Sequence, residues 1–401
     1  MALLPVAEAR ARILAKARPL AVEAVKLADA PGRVLAAAVT ARRDQPPFQA
    51  SAMDGYAVRA SDVGLVPVTL KVIGVAAAGH ALRRAVKARE ATRIFTGAPM
   101  PRGADTVVIQ ENTDAAAASS VRVRETAAAG QNVRARGLDF ARGEVLLPAG
   151  IRLNSRDIGL AAAANVPLLR VRRKPRVAVL ATGDELVQPG GHPRADQIVS
   201  SNSHGLMLLA RHFGAEVVNL GLVGDSLAAT KRAIARAASA DVLVTSGGAS
   251  VGDHDFVKEA LRQSGVRLDF WKIAMRPGKP FMYGRKGRQH VLGLPGNPVS
   301  ALVCARLFLK PLLDALQGLP TEEAVTQARL GAVMKANDGR QDYVRAKLTV
   351  AEDGSRIATP FARQDSSMQR SFREAGCLIV RSPHAAEAEM GTPVNILIID
   401  F

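Results

Sequence analysis

Apolar positions in PVAEARARILAKARPLAVEAVKL (residues 5–27) recur at helical intervals and break at Pro19, which predicts two short helices. From Asp44 the spacing changes. DQPPFQASAMDGYAV is dense in turn formers, and short alternating segments follow to about residue 147 (VTLKVIG, TRIFTG, DTVVIQ, VRVRE, EVLLPAG), predicting a small β domain. Residues 151–169 return to helical spacing, with Asn154 or Ser155 as N-cap, so the β segment reads as an insertion into a helical element. From residue 176 apolar strands alternate with helical stretches over about 203–213, 226–238, 255–264 and 298–317, the signature of a three-layer α/β domain with a mostly parallel sheet. The tail resumes short strands (DYVRAKLTV, GCLIVRS, TPVNILIIDF). The expectation is an α/β multidomain chain: a helical domain of residues 1–44 with 140–172, an inserted β domain at 45–139, the α/β domain at 173–320, and a β-barrel-like domain at 321–401.

Composition narrows the classes. With 401 residues, 48% hydrophobic and 22% charged, the chain can bury real cores and is neither disordered nor a coiled coil. No uncharged apolar run reaches the roughly 18 residues of a membrane span, and Glu8 and Arg10 interrupt any leader-like stretch, which predicts a cytoplasmic protein. Cys304 and Cys377 stand alone, with no zinc-ligand spacing. The net charge of +18 invites a nucleic-acid partner. The excess is spread, however, at +11 over residues 1–172, +8 over 173–318 and −1 over 319–401, and 4% aromatics offer few stacking platforms. A field of this kind equally steers a small polyanion. No nucleic-acid or membrane partner is expected.

Open α/β sheets bind ligands outside the carboxyl ends of their strands. There the chain carries Thr182-Gly183-Asp184-Glu185, then Gly224-Asp225, then Ser246-Gly247-Gly248-Ala249-Ser250-Val251-Gly252-Asp253-His254-Asp255. The glycine run suits a phosphate at a helix start, and Glu185, Asp225 and Asp255 suit Mg²⁺ bridging to phosphate oxygens. Gly248 to Gly252 also matches a G-x-S-x-G nucleophile elbow, which would make Ser250 a hydrolase nucleophile with His290 as base. The preceding Gly-Gly and the order of the acids favour phosphate instead. Neither a P-loop nor a dinucleotide fingerprint is present. Lys272, Arg276 and Lys279 alternate with Pro277 and Pro280, and Pro295-Gly296-Asn297-Pro298 follows a later strand, a rigid cationic setting for an oxyanion. In the first half, Asp54, Thr96, Arg134 and Asp139 lie in SAMDGYAV, TGAPMP and GQNVRARGLD, which by residue type alone are turns or site loops.

In sequence these motifs run SAMDGYAV, TGAPMP, GQNVRARGLDF, ATGDEL, SGGASVGDHDF, WKIAMRPGKP, GLPGNPVSA and GRQDYVRA. Together they resemble the molybdopterin molybdenumtransferases, the molybdate-inserting enzymes of molybdenum cofactor biosynthesis, related to the C-terminal domain of gephyrin. The resemblance covers essentially the whole chain. It implies four domains, the α/β one a molybdopterin-binding domain, in an elongated homodimer whose site joins that domain of one subunit to the β domain of the other. The implied reaction joins adenylylated molybdopterin and molybdate, giving molybdenum cofactor and AMP with a divalent metal, Mg²⁺. It implies transient contact with the molybdopterin adenylyltransferase and with molybdoenzymes. On this basis Asp54, Thr96, Asp139, Asp225, Lys272, Arg276 and Lys279 are catalytic. Arg134, Thr182, Gly183, Gly247, Gly248, Ser250, Pro295, Gly296, Asn297, Pro298, Arg345 and Ser366 bind substrate, and Glu185 and Asp255 bind metal. The alternatives are an adenylyltransferase or a non-catalytic scaffold of the same fold. Two positions depart from the family pattern: Arg276, commonly Lys, and Asp365 before Ser366-Ser367, more often Gly.

Overall fold

The structure, a computed structural model, describes residues 3–117, 119–247, 256–322 and 325–401. The chain forms two compact units, one of residues 1–23, 32–36 and 171–401, the other of 24–31 and 37–170.

The first unit is built on a six-stranded sheet in the order Glu216–Val223, Arg176–Thr182, Val242–Ser246, Gln289–Leu294, Met282–Lys286, Arg267–Trp271. The first four strands are mutually parallel, and the last two alternate in direction. Burial on both faces explains the unbroken apolar runs read as strands. Val177, Val179, Val242 and Val244 share one core with the helices Asn202–His212 and Pro298–Cys304, whereas Ala178, Leu180 and Leu243 share another with Leu227–Arg236 and Phe256–Gln263. The chain runs from the strand Arg176–Thr182 to one side and then crosses to Val242–Ser246 on the other, so the strand order reverses there. At such a reversal the two loops part and leave a crevice.

Three sequence expectations change in this unit. The helix Val6–Lys16 packs Val6, Ala9 and Ile13 into the α/β core, but the stretch after Pro19 is the strand Val22–Lys26, not a second helix. Its β-branched Val22 and Val25 suit an extended backbone, and helical spacing over five residues could not decide the matter. The segment 298–317 is not one regular helix. It opens into a π-helical turn at Ala305–Leu309 before Lys310–Gln317, because Pro311 has no N–H and its ring would strike the carbonyl of Leu307 in an α-turn. Gly318, at φ +76°, ends it with bonds from Gly318 N to Ala315 O and from Leu319 N to Asp314 O. Finally, Met275–Arg276 leaves the α/β sheet and pairs in parallel with Gln341–Asp342.

That strand joins the C-terminal domain, where Gln341–Val350, Arg356–Pro360, Thr326–Leu330, Pro393–Ile398 and Cys377–Arg381 pair in turn and the last returns to the first. The sheet closes into a small barrel around Leu330, Ala346, Ala358, Ile379 and Ile396, and closure removes exposed edges. Cys304 and Cys377 are buried, unbridged thiols.

The second unit holds a six-stranded sheet in the order Thr106–Ile109, Gly55–Val58, Glu90–Ile94, Val68–Ala76, Ser120–Val123, Thr113–Ala117. Gly55–Val58, read as loop, is an inner strand. Gly55 is required there, because a Cβ would stand 2.0 Å from Val108 O. The helix Ser155–Ala163 is narrower than expected and is capped by Asn154, whose side chain accepts from Arg156 N and Asp157 N while the Asp157 carboxylate accepts from Asn154 N.

Candidate active site

A cavity of about 420 Å³ fills the crevice at the reversal of strand order in the first unit. Thr182, Glu185, Gly247, Gly296, Asn297 and Pro298, all anticipated from sequence, line it together. Gly247 sits at φ +95°, and a Cβ would meet Thr182 O at 2.3 Å, so two strand ends can approach as they do only without a side chain. Gly296 faces it, its absent Cβ 3.9 Å from Gly247 Cα. Gly183, at φ +146°, leaves the space into which the Glu185 carboxylate folds. Glu185 is held by its own backbone, since Ile198 N donates to Glu185 O at 2.7 Å and Leu186–Val187 pairs with Ile198–Val199. The Thr182 hydroxyl is buried and has no hydrogen-bond partner among the described residues. An unmet buried hydroxyl on a cavity wall is costly unless a ligand satisfies it.

The barrel supplies the remaining wall. Ser367 and Gln369 line the cavity, Gln369 donates to Ser201 Oγ at 2.6 Å, and the Asn297 side-chain amide donates to Ser366 Oγ at 2.7 Å. Asp365 orders this loop: Oδ1 accepts from Ser367 Oγ at 2.7 Å and Ser367 N at 2.8 Å, and these bonds hold its carboxyl below the usual range. Sequence reasoning missed Ser201, Asn202 and Gln369, and it named Ser246 only as the start of the glycine-rich loop. Asn202 donates to Ser246 Oγ at 2.9 Å and Gly296 O at 2.6 Å, joining three loops, and the polar run SSNS before an apolar helix was its signal.

Other anticipated residues lie elsewhere. Asp225 is exposed and outside the cavity lining; its N donates to Asp184 Oδ1 at 2.9 Å, which ties the first loop to the second. Pro295 is buried behind Gly296 in sequence and outside the lining. Arg345, expected to touch substrate, is 1% exposed, and its guanidinium donates to Gln364 Oε1, Ser371 Oγ and the carbonyls of Met368, Arg363 and Asp365. That is a correction: it shapes the loop bearing Ser366 and Ser367 from behind. Gly248, Ser250 and Asp255 lie outside the described residues. His290, the base a hydrolase would need, is buried at the opposite end of its strand, with Nδ1 2.9 Å from Tyr283 Oη, and burial pushes its pKa down to about 4. That position removes the hydrolase.

Lys272, Arg276 and Lys279 lie between Arg267–Trp271 and Met282–Lys286, the last two strands at one edge of the sheet, and do not line the cavity. Lys272 is at φ +70°, held by its N donating to Phe281 O at 2.9 Å, and Ile273 N donates to Lys279 O at 3.0 Å. Gly278 packs on Cys304, which a Cβ would overlap at 2.6 Å. The Arg276 guanidinium is paired with Asp342 and lies 3.6 Å from Asp338.

In the second unit Asp54 and Thr96 are neighbours, because their strands adjoin. Asp54 Oδ1 accepts from Thr96 N at 2.7 Å and Thr96 Oγ1 at 2.8 Å; these bonds, with the nearby Arg93 charge, hold its carboxyl below the usual range. A carboxylate so held accepts protons poorly and donates none at neutral pH. Arg134 lies on the short strand Val133–Arg134, paired with Ala50–Ser51, and Asp139 N donates to Gln45 O at 2.9 Å.

Three family models match along the chain: the MoeA N-terminal region (domains I and II) at residues 4–165, the probable molybdopterin binding domain at 178–315, and the MoeA C-terminal region (domain IV) at 327–399. The chain is 35% identical over 381 residues to the molybdopterin molybdenumtransferase of Haemophilus influenzae, covering 94% of each. It is 38% identical over 340 residues to that of Nostoc sp., covering 82% of this chain and 78% of the other. Its fold matches the crystal structure of the molybdopterin biosynthesis MoeA protein from Pyrococcus horikoshii OT3 with a TM-score of 0.83, at 28% identity, over 99% of this chain and 100% of that one. The cavity, the closed barrel that walls it and a likeness running the length of the chain lead to one assignment: the chain belongs to the MoeA family of molybdopterin molybdenumtransferases.

Proposed function

We propose that this chain takes adenylylated molybdopterin and molybdate and releases molybdenum cofactor and AMP. The observation that carries the proposal is the cavity at the strand reversal, where Gly247 and Gly296 bare their backbone beside an unsatisfied Thr182 hydroxyl, a cradle for a phosphate oxygen. An adenylyltransferase would use the α/β domain, but family matches before and after that domain favour the transferase.

In this mechanism the backbone at Gly247 and Gly296 and the Thr182 hydroxyl hold the phosphoanhydride, with Asn202 and Asn297 fixing the loops around it. Among the described residues no three His, Cys, Asp or Glu side chains gather, so a divalent cation such as Mg²⁺ would rest on Glu185 and phosphate oxygens, with Asp255 as the further ligand expected from sequence. When bound, such an ion neutralises charge building on the phosphate. Lys272 and Lys279 hold the molybdate dianion, with the Arg276 charge shared between it and two carboxylates. Asp54, oriented by Thr96, together with Arg134 and Asp139, completes the site from a second copy of the chain in a homodimer. The proposed setting is the cytoplasm, with transient contact to the adenylyltransferase and molybdoenzymes; no helix among the described residues is long and apolar enough to cross a membrane.

Thr182→Val tests the cradle. It removes a hydroxyl that no group among the described residues uses, so thermal stability should hold or rise, while affinity for adenylylated molybdopterin, read by calorimetry, should fall about tenfold. Unchanged affinity would remove the hydroxyl from the ligand's contacts.

A further inference from the structure

We propose that Arg93 is a positioning residue of the transfer reaction: by holding Gly55 and Gln110 it fixes the turn that presents the Asp54 carboxylate. The inference rests on the reading of Asp54 as a site residue under the proposed function. Every group it uses lies in the second unit.

Asp54 is exposed immediately before the strand Gly55–Val58, and the residue after it has no side chain with which to hold the turn. Two sets of bonds hold it instead. On the carboxylate, Oδ1 is occupied by Thr96 N and Thr96 Oγ1, which leaves Oδ2 without a partner among the described residues. On the backbone, Asp54 O accepts from Gln110 N at 3.1 Å, and Gly55 O accepts from Arg93 Nη1 at 3.2 Å. Arg93 Nη2 donates to Gln110 Oε1 at 2.6 Å, so the guanidinium also grips the residue that holds the Asp54 carbonyl.

Arg93 is itself held. It stands opposite Tyr56 in the antiparallel pairing, and cross-strand neighbours share a face of the sheet. Its guanidinium carbon lies 5.1 Å from the centroid of the Tyr56 ring and 5.0 Å from that of Phe95, within the range of cation–π attraction. A planar fork with two rings beside it and an acceptor for each terminal nitrogen has little freedom left, and an ammonium on a flexible stem does not reproduce that geometry. Thr96 follows three residues after Arg93, so one short segment holds Asp54 through its carboxylate and through its backbone. After the two Thr96 bonds, the Arg93 charge also helps to hold the Asp54 carboxyl low.

A double-mutant cycle in the full-length protein tests this, because a residue that acts through Asp54 loses its effect once Asp54 is disabled. Arg93→Met should lower the rate of molybdate-dependent AMP release at saturating substrate about tenfold, with KM values changed less than about threefold, and Arg93→Lys should recover only part of the loss. In an Asp54→Asn background, or Asp54→Glu where the residual rate of the first is too low to read, adding Arg93→Met should lower the rate by less than about twofold. Gln110 is exposed, so Gln110→Leu removes one acceptor without touching a core; it should show a smaller loss of the same kind and is read in the same cycle should Arg93→Met fail to fold. Equal losses with and without the Asp54 substitution, or a parental rate in Arg93→Met, would overturn the positioning role and leave the transferase standing. A fully active Asp54→Asn would overturn the reading of Asp54 itself, and this role with it.

Discussion

Glu185→Gln is expected to lower molybdate-dependent AMP release by about 10²- to 10³-fold while leaving the fold intact. The carboxylate is the one acid lining the cavity among the described residues, and it folds back over Gly183 instead of packing into a core. What holds its loop is backbone pairing between Leu186–Val187 and Ile198–Val199, which the amide does not touch. The loss should therefore appear in the rate at saturating substrate, with circular dichroism and thermal unfolding like the parent. A Glu185→Gln enzyme with near-parental turnover would show that no charge is needed at this wall.

Arg345→Met is expected to cost about 3–5 kcal/mol of stability, by denaturant unfolding of the full chain. The guanidinium serves five acceptors, three of them backbone carbonyls, at a position 1% exposed to solvent. Methionine fills part of the volume and meets none of these acceptors. Activity should fall with it, because the loop that Arg345 shapes carries Ser366, bound to Asn297, and Ser367, on the cavity wall. A variant of parental stability with a raised substrate KM would instead return Arg345 to the ligand contacts inferred from sequence.

Arg345 also shows what sequence could and could not reveal. Its charge and its motif drew attention to it, but charge says nothing of burial, and the five acceptors come from residues 18 to 26 positions away. Arg276 is a parallel case, since the carboxylates it meets, Asp338 and Asp342, belong to the barrel. The α/β domain was legible because its strands are buried on both faces and its helices are amphipathic, so period and element agree. The loops at its strand ends were legible for a different reason: glycine beside acid, where backbone must approach a ligand, has a compact sequence signature. Gly55–Val58 was not legible, since a four-residue strand inside a run of turn formers offers no period to count. Gln369 was invisible as a site residue, because it reaches the cavity through the topology of the unit and is not of a type that marks chemistry by itself, whereas Asn202 left only the polar run SSNS before its helix as a signal.

The most direct measurement is AMP release from adenylylated molybdopterin by the purified full-length protein with Mg²⁺, with molybdate present and withheld, while molybdenum in the pterin product is followed in parallel. Release that depends on molybdate, one AMP for each molybdenum incorporated, is the predicted result. Tight binding of the adenylylated pterin with no AMP released in either condition would contradict the transferase and make the chain a carrier or scaffold.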